Sequence, residues 1–176
     1  LLRSQNLPTE YLDVPFTACL IVAGNRKILM DTGFADNGGP TTGRLMANLN
    51  AAGYKAEDID TIVLSHFHGD HILGVRNKAG QLVFPNARIM VPSVEYAFWM
   101  DDARRAAAPA GMKGAFENVR RTFATMPAGT LVQFAAGTEV DAERFDPARF
   151  QHQQQARDQR VGQDEAGQPD ARRQAA

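Results

Sequence analysis

The chain has 176 residues, 44% hydrophobic and 22% charged, which is the size and composition of one soluble globular domain. Nineteen Lys and Arg against twenty Asp and Glu leave a formal charge of −1, so no nucleic-acid partner is expected. No apolar run approaches the ~18 residues of a membrane span, and the single cysteine, Cys19, excludes an internal disulfide framework.

In chain order, Thr17–Val22 and Lys27–Met30 are short apolar runs flanking Ala23-Gly24-Asn25-Arg26, a hairpin signal. Asp31-Thr32-Gly33 ends the second strand, and Asn37-Gly38-Gly39-Pro40 reads as loop. Thr41 or Thr42 is placed to cap a helix whose face is Leu45, Met46, Leu49 and Ala52, with Gly53 as its stop. Residues 60–64, Asp-Thr-Ile-Val-Leu, form a buried-strand run ending at Ser65. Ala87–Val91 is another strand, and Pro92-Ser93 opens a helix carrying Val94, Ala97 and Phe98. Phe116, Val119 and Phe123 mark a further helix closed by Pro127, and residues 130–134 form a last strand. The pattern is α/β or α+β, with hairpin strands first and no internal repeat.

Composition breaks near residue 140. Residues 1–140 hold all four lysines and all six methionines, whereas 141–176 hold eight glutamines, with Val161, Phe145 and Phe150 as their only large apolar residues. A segment so polar cannot offset its ordering entropy, so 141–176 is read as a disordered or weakly helical tail on a domain of residues 1–140. A composition built almost wholly from Arg, Ala, Gln, Asp, Gly and Pro also fits out-of-frame translation of a GC-rich gene.

Chemistry concentrates at one place. Ser65-His66-Phe67-His68-Gly69-Asp70-His71 follows a strand directly and holds three of the four histidines. A loop at a strand end can turn His66 and His68 to the same side, and Gly69 is read as the sharp turn that brings Asp70 and His71 round. Imidazole and carboxylate are donors suited to Zn²⁺, Mn²⁺, Fe or Co²⁺. Clustering this tight favours metal binding over a solvated loop with incidental histidines.

His66-Phe67-His68-Gly69-Asp70-His71 resembles the His-x-His-x-Asp-His signature of the metallo-β-lactamase-fold hydrolases, and Asp31-Thr32-Gly33 is similar to that family's Asp-Thr-Gly. Val83–Ala87 and Glu95-Tyr96-Ala97-Phe98-Trp99 resemble the branch of quorum-quenching lactonases and methyl-parathion-hydrolase-like enzymes. The resemblance covers about residues 12–140. It implies the N-terminal part of an αββα sandwich with two divalent metal ions, zinc foremost, at one edge of the sheets. It further implies that His66 and His68 ligate the first metal and Asp70 and His71 the second. A hydroxide bridging the two would attack a carbonyl or phosphoryl centre, with Asp70 orienting it or carrying the proton to the leaving group. Asp31 resembles a carboxylate that holds the metal loop, a role that overlaps with capping a strand-end turn. Phe67 and Trp99 are candidate walls of a substrate pocket, with core packing the better reading for Phe98.

The chain departs from the family pattern downstream. That pattern adds a Gly-His histidine, a bridging Asp and a last His, while this chain has only His152 after His71, in the Gln-rich tail. Asp141 and Asp146 lie in the same tail and make no better ligands than His152. Two functions of different class follow. One is a metal-dependent hydrolase of a lactone, ester or phosphotriester whose distal coding end is misread or truncated. The other is a non-catalytic truncated paralogue binding at most one metal weakly. The metal loop alone also fits a thioesterase or a nuclease, and the neutral charge argues against the latter. The partner expected is a small-molecule substrate, with no nucleic acid and no membrane. Self-association is expected because half a sandwich leaves apolar sheet surface bare. The first residue is Leu1 rather than Met; a cytoplasmic location is the default expectation, with a periplasmic or secreted one left open by a leader upstream.

Overall fold

The structure is a computed structural model that describes residues 3–5, 7–11 and 14–137. The tail from 141, with His152, Asp141 and Asp146, lies outside the described residues. Strands β1 (Cys19–Ala23) and β2 (Arg26–Met30) form the expected hairpin, with Ala23 opposite Arg26. Its two-residue turn takes Gly24 at φ +59, where a side chain would be strained.

From β2 the sheet continues in one direction. Strands β3 (Thr61–Val63), β4 (Arg88–Pro92) and β5 (Leu131–Phe134) add in parallel, giving the order β1-β2-β3-β4-β5. Each parallel step needs a crossover. Helix α1 (Leu45–Ala51) lies in the first, the short α2 (Gly69–Ile72) in the second, and α3 (Ser93–Trp99), α4 (Asp102–Ala107) and α5 (Ala110–Phe123) in the third.

Period-two alternation separates two faces of the sheet. Leu29, Ile62, Leu64, Ile89 and Val91 join Leu49, Trp99, Phe116, Val119 and Phe123 of the helices in one core. Each large side chain buried there contributes about 1.5–3 kcal/mol. The register puts Ile21, Ile28, Met30, Val63, Met90, Val132 and Phe134 on the other face, none of them in that core cluster. Ile21 is 43% exposed.

The helices differ from the sequence reading in three places. Neither Thr41 nor Thr42 caps α1. The Thr42 hydroxyl donates to Gly39, Gly43 turns the chain at φ +77, and Arg44 takes the cap position without a side-chain bond. At the other end Gly53 stops the helix as expected, at φ +83 with Tyr54 N–H donating to Leu49 and Gly53 N–H to Asn50, the paired bonds of a Schellman end. In α3 the buried face is Trp99, with Tyr96 and Phe98 packed beside it, while Val94 is 71% exposed. Helix α4 has no apolar stripe to announce it, and its signal is Asp101, whose carboxylate accepts from Arg104 N–H.

Candidate metal centre

Because β2, β3 and β4 run parallel, their carboxyl ends lie side by side at one edge, the place where open α/β sheets gather ligand-binding residues. Asp31 follows β2, Ser65–His71 follows β3, and Glu95 sits in the first turn of α3 directly after β4. Adjacency in the sheet therefore converts three distant stretches of sequence into one cluster.

Asp31 stands at φ +59, a left-handed conformation that Asp tolerates better than most residues. Its Oδ1 accepts from Ser65 N–H at 2.8 Å, and the Ser65 hydroxyl lies 3.0 and 2.9 Å from the two carboxylate oxygens. His71 Nδ1 is 2.9 Å from Asp31 Oδ2. A carboxylate only accepts, so the Ser65 hydroxyl and His71 Nδ1–H both donate to it. With its hydrogen committed, Ser65 Oγ accepts from His66 Nδ1, 3.0 Å away. These bonds turn Nε2 of His66 and of His71 away from Asp31 and Ser65, toward His68 and Asp70 respectively.

The backbone adds further ties. Thr32 donates to the His71 carbonyl through both its N–H (2.9 Å) and its hydroxyl (2.8 Å), and Gly74 N–H donates to Gly33 at 2.7 Å. A Cβ on Gly74 would sit 2.0 Å from the Thr32 carbonyl oxygen, so only glycine admits this approach. Gly69 serves differently from the sharp turn expected of it. It opens α2 at an ordinary φ, and a Cβ there would meet Leu73 Cδ1 at 3.2 Å.

The four candidate ligands fall into two pairs. His66 Nε2 lies 3.1 Å from His68 Nδ1, and His71 Nε2 lies 3.1 Å from Asp70 Oδ2. Two donors on one tetrahedral ion, each ~2.0–2.1 Å from it, stand roughly 3.3 Å apart. Both pairs have nearly that spacing, and the pairs are those the family resemblance implies. The His71 ring thus stands between two carboxylates, Asp31 at Nδ1 and Asp70 at Nε2. No group of three or more His, Cys, Asp or Glu among the described residues is arranged so that it could hold a metal ion. Two donors per pair is the arrangement present.

His66 is held below its ordinary value near 6.5, first by burial and then by His71 and His68 beside it. Keeping an imidazole neutral keeps its lone pair available to a metal.

Phe67 and Trp99, expected as pocket walls, have their side chains in the core. Phe67 is 1% exposed and stacks on Phe123 at 4.6 Å, and Trp99 is 6% exposed against Phe116 at 4.7 Å. Alternation along the loop explains Phe67, since its neighbours His66 and His68 point to the opposite, ligand side. Two residues had no assigned role in the sequence. Ser65 reads there only as a strand end, and Glu95 only as part of a family-like stretch. Yet Glu95 Oε2 accepts from Phe67 N–H at 2.9 Å and from Trp99 Nε1 at 3.1 Å. A cavity of about 490 Å³ lies elsewhere, between the chain before β1 and α1, with Phe16, Leu29, Phe34 and Leu49 in its wall.

Comparison with known proteins bears on this geometry directly. No curated protein matches the chain. Among solved structures, a hydrolase of the β-lactamase superfamily, AbOPH, is 33% identical with a TM-score of 0.60, covering 66% of this chain and 42% of its own. AidC, a dizinc quorum-quenching lactonase in complex with a product N-hexanoyl-L-homoserine, is 29% identical with a TM-score of 0.66, covering 79% of this chain and 49% of its own. The chain thus spans under half the length of either protein. A family model described as the metallo-beta-lactamase superfamily matches residues 13–154, a stretch that contains Asp31 and the whole 65–71 loop. By that match, and with the signature residues gathered at one sheet edge, the chain belongs to the metallo-β-lactamase superfamily.

Proposed function

We propose that this chain carries the metal-binding first half of a metal-dependent hydrolase acting on a small molecule with a lactone, ester or phosphotriester bond. The observation that carries the reading is the pairing of His66 with His68 and of Asp70 with His71 at metal-ligand spacing. The lactonase AidC and the hydrolase AbOPH among its structural neighbours support the reaction class. Bound divalent metal ions, zinc foremost, would supply Lewis acidity and a water activated for attack.

The chain's own residues hold and orient. His66 and His68 would hold one ion, and Asp70 and His71 the other. Asp31 fixes the His71 ring through Nδ1 and, through Ser65, the His66 ring, so that neither needs to reorganise on metal entry. Asp70 is the catalytic candidate. Its carboxylate reaches the ligand side of the loop and can accept a proton there and pass it to a leaving group.

A second reading rests on the count of donors. A catalytic zinc ion takes three protein donors and keeps one position open, whereas each pair here supplies two. On that reading the chain as given binds at most one metal, weakly, and turns over poorly. The experiment is hydrolysis of an N-acyl homoserine lactone, an aryl ester and a phosphotriester by chain loaded with Zn²⁺ or Co²⁺. Turnover that disappears in Asp70→Asn supports the hydrolase; no turnover together with less than one bound metal supports the second reading.

Among the described residues no helix is long and apolar enough to cross a membrane.

A further inference from the structure

We infer that Glu95 is a positioning residue for the metal loop, holding it from the side opposite Asp31. The loop leaves β3 and must present His66 and His68 to one side while Phe67, between them, enters the core. Two carboxylates from different elements fix alternate amides along it. Asp31, at the end of β2, accepts from Ser65 N–H at 2.8 Å, and Glu95, in the first turn of α3, accepts from Phe67 N–H at 2.9 Å. The amides on either side of His66 are therefore both tied to carboxylates. A hydrogen bond to a charged acceptor is roughly twice as strong as a neutral one, which suits a loop with little regular structure of its own.

Glu95 is itself held. Trp99, one helical turn later and the only tryptophan in the chain, donates its Nε1–H to the same oxygen at 3.1 Å, and its ring packs against Phe116 of α5 and Phe98. Trp99 thus closes a chain of contacts from the core through Glu95 to the loop backbone. The buried indole needs a partner for its N–H; the carboxylate that satisfies it is the one that restrains Phe67.

This inference takes residues 66–71 as the metal loop, but its test needs no metal, so failure of one idea is distinguishable from failure of the other. Amide exchange and imidazole ¹⁵N shifts are measured by NMR on the full metal-free chain for Glu95→Ala, Glu95→Gln and Trp99→Phe. In Glu95→Ala the Phe67 amide exchanges about ten- to a hundredfold faster, the effect of losing one hydrogen bond to a charged group. The His66 and His68 shifts move toward those of free imidazole, and Val119 and Phe123 in α5 keep their protection. Glu95→Gln retains a carbonyl oxygen and recovers most of the protection. Trp99→Phe leaves the Phe67 amide protected, because the carboxylate remains. Unchanged Phe67 exchange and imidazole shifts in Glu95→Ala would overturn the inference. So would loss of Phe67 protection in Trp99→Phe, which would make Glu95 only an anchor for the indole. Should Glu95→Ala lose protection throughout, the other two variants decide: protection kept in both upholds the role, and its loss in Trp99→Phe removes it.

Discussion

Gly74→Ala tests how the Asp-Thr-Gly segment and the metal loop depend on each other. Gly74 has no left-handed φ, so alanine is allowed by the backbone, and reduced unfolded-state entropy alone would stabilise the variant by about 0.4–1 kcal/mol. Sterics point the other way. The new Cβ would sit 2.0 Å from the Thr32 carbonyl oxygen, 2.7 Å from its carbon and 3.0 Å from its Cβ. Relieving these contacts takes a backbone displacement of more than an ångström, since the obstacle is main chain and not a flexible side-chain end. Overpacking of this kind costs about 1–3 kcal/mol, and loss of the 2.7 Å bond from Gly74 N–H to Gly33 adds about 1 kcal/mol. The net expectation is about 1–4 kcal/mol of destabilisation, read as a lower urea midpoint at unchanged slope. Since Thr32 is next to Asp31, metal affinity falls as well. An unchanged or raised midpoint would refute the close approach and with it the coupling of the two segments.

Asp31→Asn keeps shape and tolerates the left-handed backbone but removes the charge facing His71 and Ser65. It lowers Zn²⁺ affinity about ten- to a hundredfold in competition with a chromophoric chelator, and equal affinity would show that Asp31 does not orient the loop. The lowered pKa of His66 makes the folded metal-free chain bind fewer protons than the unfolded one just below pH 6.5. Stability therefore falls as pH drops through that value and levels off below the folded pKa. His66→Gln removes this part of the pH dependence in urea melts between pH 8 and 5, and an identical slope in both proteins would contradict it. Finally, the partly exposed apolar sheet face of Ile21, Ile28 and Met30 predicts concentration-dependent self-association of the chain as given. Sedimentation velocity should show it weakened by Ile21→Lys, whereas a cooperative monomer at high concentration would count against that face being bare.

Most elements that build the site were legible because they rest on local signals. The Gly24-Asn25 turn, the apolar run at 61–64, the Gly53 stop and the Phe116/Val119/Phe123 stripe each state their own structure. The cluster of Ser65–His71 was legible too, because its histidines and Asp70 stand side by side in the sequence. The rest depends on tertiary contact. Nothing local reveals that Thr42 would fail as a cap, since Gly43 delays the helix by passing tightly beside the Ala35 carbonyl, which a Cβ would meet at 2.0 Å. Phe67 sits between two histidines in sequence but faces the core, and Glu95 reaches the Phe67 amide only because α3 starts beside the end of β3.

The most direct test of the account is the metal content of the chain equilibrated with Zn²⁺ or Co²⁺, measured beside His68→Ala. The account predicts metal held by the parent and most of it lost in the variant. Metal content unchanged by His68→Ala would contradict the account by showing that the 66–71 loop is not the site.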